Sequence, residues 1–262
     1  MTGVIVLGGL GNMLFGLAAG ETWRRRGIDV VYTNIDTNFI FLTEQGYTRI
    51  SPLRYQYMFE NFDWNAHKAP KNFKVPLKKL PFHYIDFQPE DNVEYHGYFQ
   101  SEKFFPDKEY IRELFRPSEE IKERLTKYSD ALAGITCSIH VRRGDYVRQS
   151  DLHPVQDMDY YNKAMQTLEP FHVGRYLIFS DDLPWCKANF TGDQYVFIED
   201  DDYVELFLMG MTTHHIVGNS SFSWWGAWLG EKQDSVVIAP KVWLTKPNLN
   251  TNDIIPDRWI KL

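Results

Sequence analysis

Along the second half of the chain, segments with the apolar pattern of a strand alternate with segments that have the apolar spacing of a helix. Five short apolar runs have the length of buried strands. They cover residues 135–141, 175–179, 194–198, 214–218 and 235–239. Segments with helical spacing of apolar residues lie between them, at 159–168, 183–190, 202–211 and 220–229. Strands that alternate with helices of about ten residues are typical of a parallel, doubly wound α/β sheet.

The beginning of the chain has the same character. Residues 4–32 predict a strand, a glycine-rich loop at 8–12, a helix and a second strand. The loop does not match the dinucleotide-binding fingerprint, because the position three residues after Gly11 holds Leu14 instead of glycine or alanine. The pattern therefore indicates a βαβ unit of the kind found in nucleotide-binding folds. It does not indicate that this unit binds NAD.

Between these regions the periodicity is poor. Residues 51–100 are rich in aromatic residues and prolines and predict irregular structure that wraps the first domain. Two helical runs follow, at 107–115 and 118–129. We place the domain boundary after them and predict an α/β protein of two Rossmann-like domains, 1–130 and 131–262, that face each other across a cleft.

Composition narrows the classes of ligand. A chain of 262 residues with 44% hydrophobic and 24% charged residues is typical of a globular protein. Its net charge of -7 excludes a general nucleic-acid binder, which needs a basic face. An anionic ligand would therefore have to be held by a few local cations.

The sequence gives no signal for a membrane span, a secretory leader or a metal-thiolate site. Nowhere do about 18 apolar residues follow one another, and the first residues lack a basic segment. Cys137 and Cys186 lie in different predicted elements, without the spacing of a zinc site or a disulfide framework. We therefore expect a reducing, cytoplasmic location and no bound metal.

Charged residues follow the predicted strand at 135–141. His140, Arg142, Arg143 and Asp145 stand at its carboxyl end, the edge at which doubly wound sheets bind their ligands. A guanidinium suits a diphosphate, because its planar fork of donors stays charged. We favour an anion site over the alternative, a surface ion-pair cluster.

A second candidate anion site follows the predicted strand at 214–218. Asn219, Ser220 and Ser221 begin a predicted helix, where hydroxyls and free backbone N–H groups can hold a phosphate. The same residues also suit an ordinary helix cap. Beside the arginines, we favour the phosphate.

Acidic residues follow two other strands. Asp181 and Asp182 could hold a metal, but they lead directly into a helix, and we interpret them as a cap. Glu199 and Asp200 also precede a helix, whose N-terminus favours negative charge. One of these two carboxylates could accept hydrogen bonds from a guanine.

A general base is expected in the loop after the arginine motif. The candidates are Asp151, His153 and Asp157. A general base must reach the acceptor hydroxyl, and a loop that faces the cleft is a reasonable place for it. Asp151 is the first choice and His153 the second. Solvent-exposed loop residues without a catalytic role are the alternative.

Six blocks of sequence, in this order, resemble the α-1,2-fucosyltransferases, the inverting enzymes of glycosyltransferase family 11. They are Gly8-Gly-Leu-Gly-Asn12, Gly97-Tyr-Phe-Gln-Ser-Glu-Lys-Phe-Phe105, His140-Val-Arg-Arg-Gly-Asp-Tyr146, Phe179-Ser-Asp-Asp182, Asn219-Ser-Ser-Phe-Ser-Trp-Trp-Gly-Ala-Trp228 and Asp253-Ile-Ile-Pro-Asp-Arg-Trp259. The arginine block and the Ser-Ser-Phe-Ser-Trp-Trp block are the specific ones.

The resemblance implies a GT-B fold and a metal-independent transferase without a cofactor. Such an enzyme moves L-fucose from GDP-β-L-fucose to the 2-hydroxyl of a terminal galactose. Arg142 would hold the β-phosphate, with Arg143 and Asp145 maintaining the geometry of the motif. His140 and one carboxylate of residues 199–200 would lie near the guanosine.

The resemblance also implies roles for residues in two other blocks. Ser220 or Ser221 would meet the diphosphate. Asn12, in the glycine loop with Gly9 and Gly11, would reach the reacting region. The loop departs from the family where Asn12-Met-Leu-Phe-Gly-Leu-Ala18 replaces Asn-Gln-Met-Phe-Gln-Tyr-Ala. The chain thus lacks both glutamines and the tyrosine of the family loop, so the family's acceptor geometry and any hydrogen bond from a loop glutamine are not carried over to it.

The expected partners follow from this resemblance. They are GDP-fucose and a galactose-terminated oligosaccharide or lipid-linked glycan, with no nucleic acid and with peripheral association at the inner face of the membrane. Two alternatives stay open. One is transfer of another GDP-sugar or formation of another linkage, and the other is a catalytically silent sugar-binding protein.

Overall fold

The computed structural model describes residues 1–35, 39–43, 46–50 and 52–262, with side chains for residues 1–35 and 54–262. The chain forms two compact units. The first unit comprises Met1–Ser118 and Asn248–Pro256, and the second comprises Glu119–Pro247 and Asp257–Leu262.

The helices and strands of the described residues follow in chain order. The strands are β1 (Thr2–Ile5), β2 (Val30–Thr33), β3 (Phe39–Thr43), β4 (Gly46–Ile50), β5 (Leu77–Lys79), β6 (Glu94–His96), β7 (Thr136–Val141), β8 (Arg175–Ser180), β9 (Tyr195–Phe197), β10 (His214–Ile216), β11 (Val237–Ala239) and β12 (Ile260–Lys261). The α-helices are α1 (Leu10–Arg25), α2 (Lys108–Leu114), α3 (Glu119–Leu125), α4 (Met158–Thr167), α5 (Leu183–Asn189), α6 (Asp202–Met211) and α7 (Ser221–Gly230).

The first unit contains a parallel sheet in the order β2-β1-β6-β5. The strand, helix and strand predicted at its start are β1, α1 and β2. Helix α1 buries almost its whole length, and Arg24 and Arg25 lie in its last turn, where cations favour the helix dipole.

The predicted irregular region holds β5 and β6, which were not predicted. Each has only three residues, too few for a readable period. Ser51, at the start of that region, lies outside the described residues. Strands β3 and β4, which pair in an antiparallel hairpin, were also not predicted.

The second unit is built on a parallel sheet in the order β12-β11-β10-β7-β8-β9, which is the strand order of a Rossmann fold. The five predicted strands appear as β7 to β11, and the four predicted helices as α4 to α7. Strand β12 was missed because it has only two residues. In this order β7 and β10 are neighbours at the point where the winding direction reverses, which is where such sheets bind ligands.

Helices α6 and α7 pack at unusually close range. A Cβ atom added to Gly230 would lie 2.0 Å from the carbonyl oxygen of Gly210, so a side chain at Gly230 would force the helices apart. The tryptophans of α7, Trp224, Trp225 and Trp228, are all buried. This helix is therefore mainly a core element.

Residues 119–130 pack with the second unit, although the sequence placed them in the first domain. Ile121 and Leu125 of α3 are buried, and Arg124 bonds Asp200 and Asp201 at the start of α6. These long-range contacts, which helical spacing alone does not reveal, assign α3 to the second unit.

The segment that follows residue 256 is anchored to the end of α7. Both carboxylate oxygens of Glu231 accept hydrogen bonds from Arg258, at 2.8 and 2.9 Å. The indole of Trp259 donates to the same carboxylate at 3.1 Å. Glu231 is only 8% exposed, so its charge depends on these partners. Much of the Asp253–Trp259 block is therefore structural.

No described helix has the length and apolar character needed to cross a membrane. Cys137 and Cys186 are buried free thiols.

We expect Glu231→Gln to destabilise the second unit by about 2 kcal/mol, because it weakens hydrogen bonds to a buried charged group. Urea unfolding followed by tryptophan fluorescence measures the change. The matched control is Glu119→Gln, which alters an ion pair with Lys122 at an 83% exposed side chain and should shift stability by less than about 0.5 kcal/mol. Equal midpoints for the two variants would contradict this role of Glu231.

Candidate functional site

The candidate site in the second unit lies at the carboxyl edge of three adjacent strands. Strand β8 pairs with β7 in a register that sets Val141 opposite Ser180. Strand β10 pairs with β7 on the other side, with Ile216 opposite Ile139. The register carries the residues that follow these strands to one edge, so Arg142 emerges between Asp181 and Asn219.

Two carboxylates hold the guanidinium of Arg142. It donates to Asp145 at 2.5 Å and forms an ion pair with Asp181 at 2.9 Å, and it lies 5.0 Å over the ring of Tyr146. Burial opposes the charge of Arg142, but Asp181 and Asp145 outweigh it and raise its pKa. The two carboxylates together engage two of the five N–H donors of the guanidinium. The fork is thus fixed while donors remain for a ligand.

Arg143 faces helix α5. Its Nε donates to Asp182 at 3.0 Å, and its guanidinium lies 4.3 Å over the ring of Trp185. The backbone N–H of Arg143 donates to Asp181 at 2.9 Å. These contacts are those of a residue that maintains the shape of the motif.

The two acids after β8 have separate roles. Asp182 caps α5, because its side chain accepts from the backbone N–H of Trp185, as the sequence indicated. Asp181 is not part of the cap and binds Arg142 and Arg143 instead. Among the described residues, no group of three or more His, Cys, Asp or Glu side chains is arranged to hold a metal ion.

The imidazole of His140 is buried beside this cluster. Burial lowers the pKa of His140 to about 4, with Asp181 partly opposing the shift, so the ring is neutral at neutral pH. Its Nδ1 has no hydrogen-bond partner within the described parts of the chain, and its ring lies 5.6 Å from that of Phe222. A buried, neutral nitrogen of this kind is suited to a polar ligand.

The start of α7 adds polar groups at the same edge. Asn219 donates to the carbonyl of Trp243 at 3.3 Å, while its buried Oδ1 is unpaired among the described residues. Ser220 occupies the N-cap position, yet within the described structure its side chain makes no cap hydrogen bond. Ser221 is the first helical residue. The hydroxyls predicted to meet a phosphate are therefore not used to cap the helix.

The loop after the motif contributes His153 and not Asp151. The ring of His153 stacks on Tyr146 at 4.1 Å and 15°, and the hydroxyl of Tyr146 donates to the carbonyl of Asn219. Burial lowers the pKa of His153. The side chain of Asp151 is exposed, and its backbone carbonyl accepts a hydrogen bond from the hydroxyl of Thr245. Asp157 caps α4.

The acids after β9 lie apart from this cluster. Both oxygens of Asp200 are engaged, by Arg124 at 2.5 Å, by Lys127 at 2.7 Å and by Tyr128 at 2.8 Å. Burial alone would raise the pKa of Asp200, but these partners lower it to about 2. Glu199 is exposed. Of the two, Glu199 has the freer carboxylate.

The glycine loop of the first unit fixes the amide of Asn12. Gly9 is the N-cap of α1, and Gly11 and Asn12 lie in its first turn. The side-chain Oδ1 of Asn12 accepts from Gln100 at 2.6 Å. Gly8 has a φ of 67°, and a Cβ there would lie 2.8 Å from Nδ2 of Asn12. The structure thus identifies Gly8 as a position that requires glycine.

Three residues of these clusters had no predicted role in the site. Asp181 follows β8 directly, so its place beside Arg142 could have been found from strand pairing. Tyr146 lies within the arginine motif itself. Gln100 is 88 residues from Asn12 in the sequence, and no local pattern links the two.

Solved structures with a similar fold are known. The crystal structure of POFUT1 in complex with GDP matches with a TM-score of 0.53 and 14% identity, over 90% of this chain and 97% of that chain. The fucosyltransferase NodZ from Bradyrhizobium matches with a TM-score of 0.52 and 13% identity, over 86% of this chain and 91% of that chain. They confirm the predicted α/β fold of GT-B type.

Sequence comparisons give the family. The model of glycosyl transferase family 11 matches residues 48–262. An alpha-1,2-colitosyltransferase of Escherichia coli is 31% identical over 97% of this chain and 96% of its own length. The O-antigen biosynthesis glycosyltransferase WbnK of Escherichia coli is 35% identical over 48% of this chain and 44% of its own length. The chain therefore belongs to glycosyltransferase family 11, and it is a glycosyltransferase.

Proposed function

We propose that this enzyme moves L-fucose from GDP-β-L-fucose to the 2-hydroxyl of a terminal galactoside and forms an α-1,2 linkage. The observation that carries the proposal is the position of Arg142, held by Asp145 and Asp181 next to the helix start at residues 219–221. A fixed guanidinium beside a helix N-terminus is suited to a diphosphate leaving group. Family membership supports the sugar and the linkage.

The reaction is a single in-line displacement. The acceptor oxygen forms a bond to C1 of the sugar while the bond from C1 to the β-phosphate oxygen breaks, and the anomeric configuration inverts. Both bonding electrons leave with GDP. Arg142, with the hydroxyls of Ser220 and Ser221, stabilises the charge that develops on the β-phosphate.

The remaining residues of the cluster act through Arg142. Asp145 and Asp181 orient the guanidinium, and Arg143 supports Asp181 through its backbone N–H. A preorganised donor needs no rearrangement as charge develops, and this is the main source of its catalytic effect. Asp145, Asp181 and Arg143 are therefore positioning residues.

The nucleoside is proposed to lie near His140. Its neutral imidazole offers the unpaired Nδ1 to a polar atom of the nucleoside. The carboxylate that accepts from guanine is assigned to Glu199, because Asp200 is occupied by Arg124, Lys127 and Tyr128.

His153 is a better candidate for the general base than Asp151, the first choice from the sequence. Its ring stacks on Tyr146, which itself lies against Arg142, whereas Asp151 has an exposed side chain. A lowered pKa keeps His153 neutral at neutral pH, the state in which it can accept the proton of the attacking hydroxyl.

One observation favours a second candidate for the sugar that is transferred, colitose. A relative that matches nearly the whole chain is named an alpha-1,2-colitosyltransferase. Colitose is the 3-deoxy form of fucose, so the same leaving group and geometry serve both sugars. The two candidates differ only in whether the enzyme recognises a 3-hydroxyl.

We also propose that the enzyme needs no metal and works in the cytoplasm on a free or lipid-linked glycan at the inner face of the membrane. Asp181 and Asp182, the acids that could have held a metal, pair with Arg142 and Arg143 instead. Directed, charge-assisted N–H donors of Arg142 would take the place of a metal at the leaving phosphate.

The first test is direct. The enzyme is incubated with GDP-fucose or GDP-colitose and with galactose-terminated acceptors in excess EDTA, and the products are analysed by mass and by linkage. We expect an α-1,2-linked deoxysugar on galactose at full rate. Another linkage, or activity only with added divalent metal, would overturn the corresponding part of the proposal.

The role of Arg142 gives a quantitative prediction. Arg142→Ala should lower kcat by about 10²–10³, the usual loss for one charged donor at a developing anion. Arg175→Ala is the matched control, because Arg175 starts β8 at the opposite end of the same sheet, and it should stay within about twofold of wild type. Wild-type turnover of Arg142→Ala would remove the assignment.

The general base is tested by pH. His153→Ala should lower kcat by about 10²–10⁴, while Asp151→Asn should keep its rate. Because the pKa of His153 is lowered, the wild-type rate should fall only as pH drops below about 6.5, as the imidazole gains a proton. That acidic limb should be absent from His153→Ala. If the limb persists in this variant and disappears in Asp151→Asn, the base is Asp151.

A further inference from the structure

The side-chain amides of Gln100 and Asn12 share one hydrogen bond, and the carbonyl oxygen of the Gln100 amide is left without a partner among the described residues. Nε2 of Gln100 donates to Oδ1 of Asn12 at 2.6 Å. Gln100 is 6% exposed, and its Oε1 has no partner in the part of the chain that the structure describes. Buried carbonyl oxygens are seldom left unpaired in folded proteins. This orphaned acceptor indicates a missing polar partner.

The orientation of Asn12 is set by the same bond. Since Oδ1 accepts from Gln100, the Nδ2 group is the end left for a ligand. Gly8 leaves the room that this amide needs, because a Cβ there would lie 2.8 Å from Nδ2. Asn12 is in the first turn of the 16-residue helix α1, whose N-cap, Gly9, has no side chain to occupy the free backbone N–H groups.

The backbone on both sides of Gln100 is well anchored. Phe99, just before it, has a φ of 52° and is 2% exposed. Ser101, just after it, donates its N–H to the carbonyl of Phe99 at 2.7 Å and caps the following turn at Glu102–Phe104. The backbone at Gln100 is therefore fixed by buried neighbours on both sides.

We propose that Asn12 and Gln100 together bind one hydroxyl of the acceptor sugar. A hydroxyl both donates and accepts, and it would accept from Nδ2 of Asn12 while donating to Oε1 of Gln100. Gln100 has a second role, because it sets which end of the Asn12 amide is free.

This inference rests on the proposed transfer of a deoxysugar to a sugar hydroxyl. The two can fail separately. A wild-type enzyme that turns over neither GDP-fucose nor GDP-colitose overturns the proposed function. A wild-type enzyme that is active, with variants of the pair that bind the acceptor normally, overturns only the amide pair.

The experiment measures KM for acceptor and for donor in Gln100→Met, which keeps the length of the side chain without its amide. We expect kcat/KM for the acceptor to fall about 10- to 100-fold, the effect of one or two lost hydrogen bonds, while KM for the GDP-sugar stays within about twofold. Thr22→Val is the matched control, since Thr22 is similarly buried in the same unit and its hydroxyl donates to the carbonyl of Ala18 within its own helix. It should behave as wild type.

A double-mutant cycle separates positioning from packing. Asn12→Ala should show the same selective loss, and adding Gln100→Met to it should cost less than the two single effects combined. Fully additive effects, or an equal rise of both KM values, would contradict the pair. If Gln100→Met does not fold, Asn12→Ala decides, because normal acceptor kinetics in that variant overturn the proposal.

Discussion

The charge of one half-buried guanidinium, that of Arg142, determines how this site is built. A charge withdrawn from water costs several kcal/mol unless it is paired and hydrogen-bonded. Asp145 and Asp181 provide both, and they fix the direction of the fork. Two carboxylates around one guanidinium leave a local excess of negative charge. A diphosphate must therefore be held by directed hydrogen bonds from the remaining N–H groups and from the helix start at 219–221, in keeping with a chain whose net charge is -7.

The position of that charge depends on strand register. The parallel pairings of β7 with β8 and with β10 set Arg142 between Asp181 and Asn219 at one edge of the sheet. A slip of one residue would turn Asp181 to the other face and leave the guanidinium held by Asp145 alone. Tyr146 and His153 then stack in sequence against Arg142. The position of His153 thus depends on Tyr146, and the position of Tyr146 depends on Arg142 and on the strand register.

The sequence predicted the alternating strands and helices of the second unit because their apolar runs are long enough to carry a period. It also predicted the arginine motif and the polar start of α7, since each follows a buried strand. The short strands β5, β6 and β12 have too few residues for a period. The roles of Asp181 and Gln100 depend on contacts between distant segments, which no local pattern encodes.

The path of the last residues has a consequence for how the protein is made. Residues 248–256 belong to the first unit, and residues 257–262 return to the second, where β12 pairs with β11 and Arg258 reaches Glu231. The ribosome synthesises residues 248–262 after the main part of each unit. During synthesis, the first unit must wait for a missing segment and the second for an edge strand, although the main part of each unit has already emerged. The two units are therefore completed at nearly the same time. Neither unit is encoded by one uninterrupted segment of the gene.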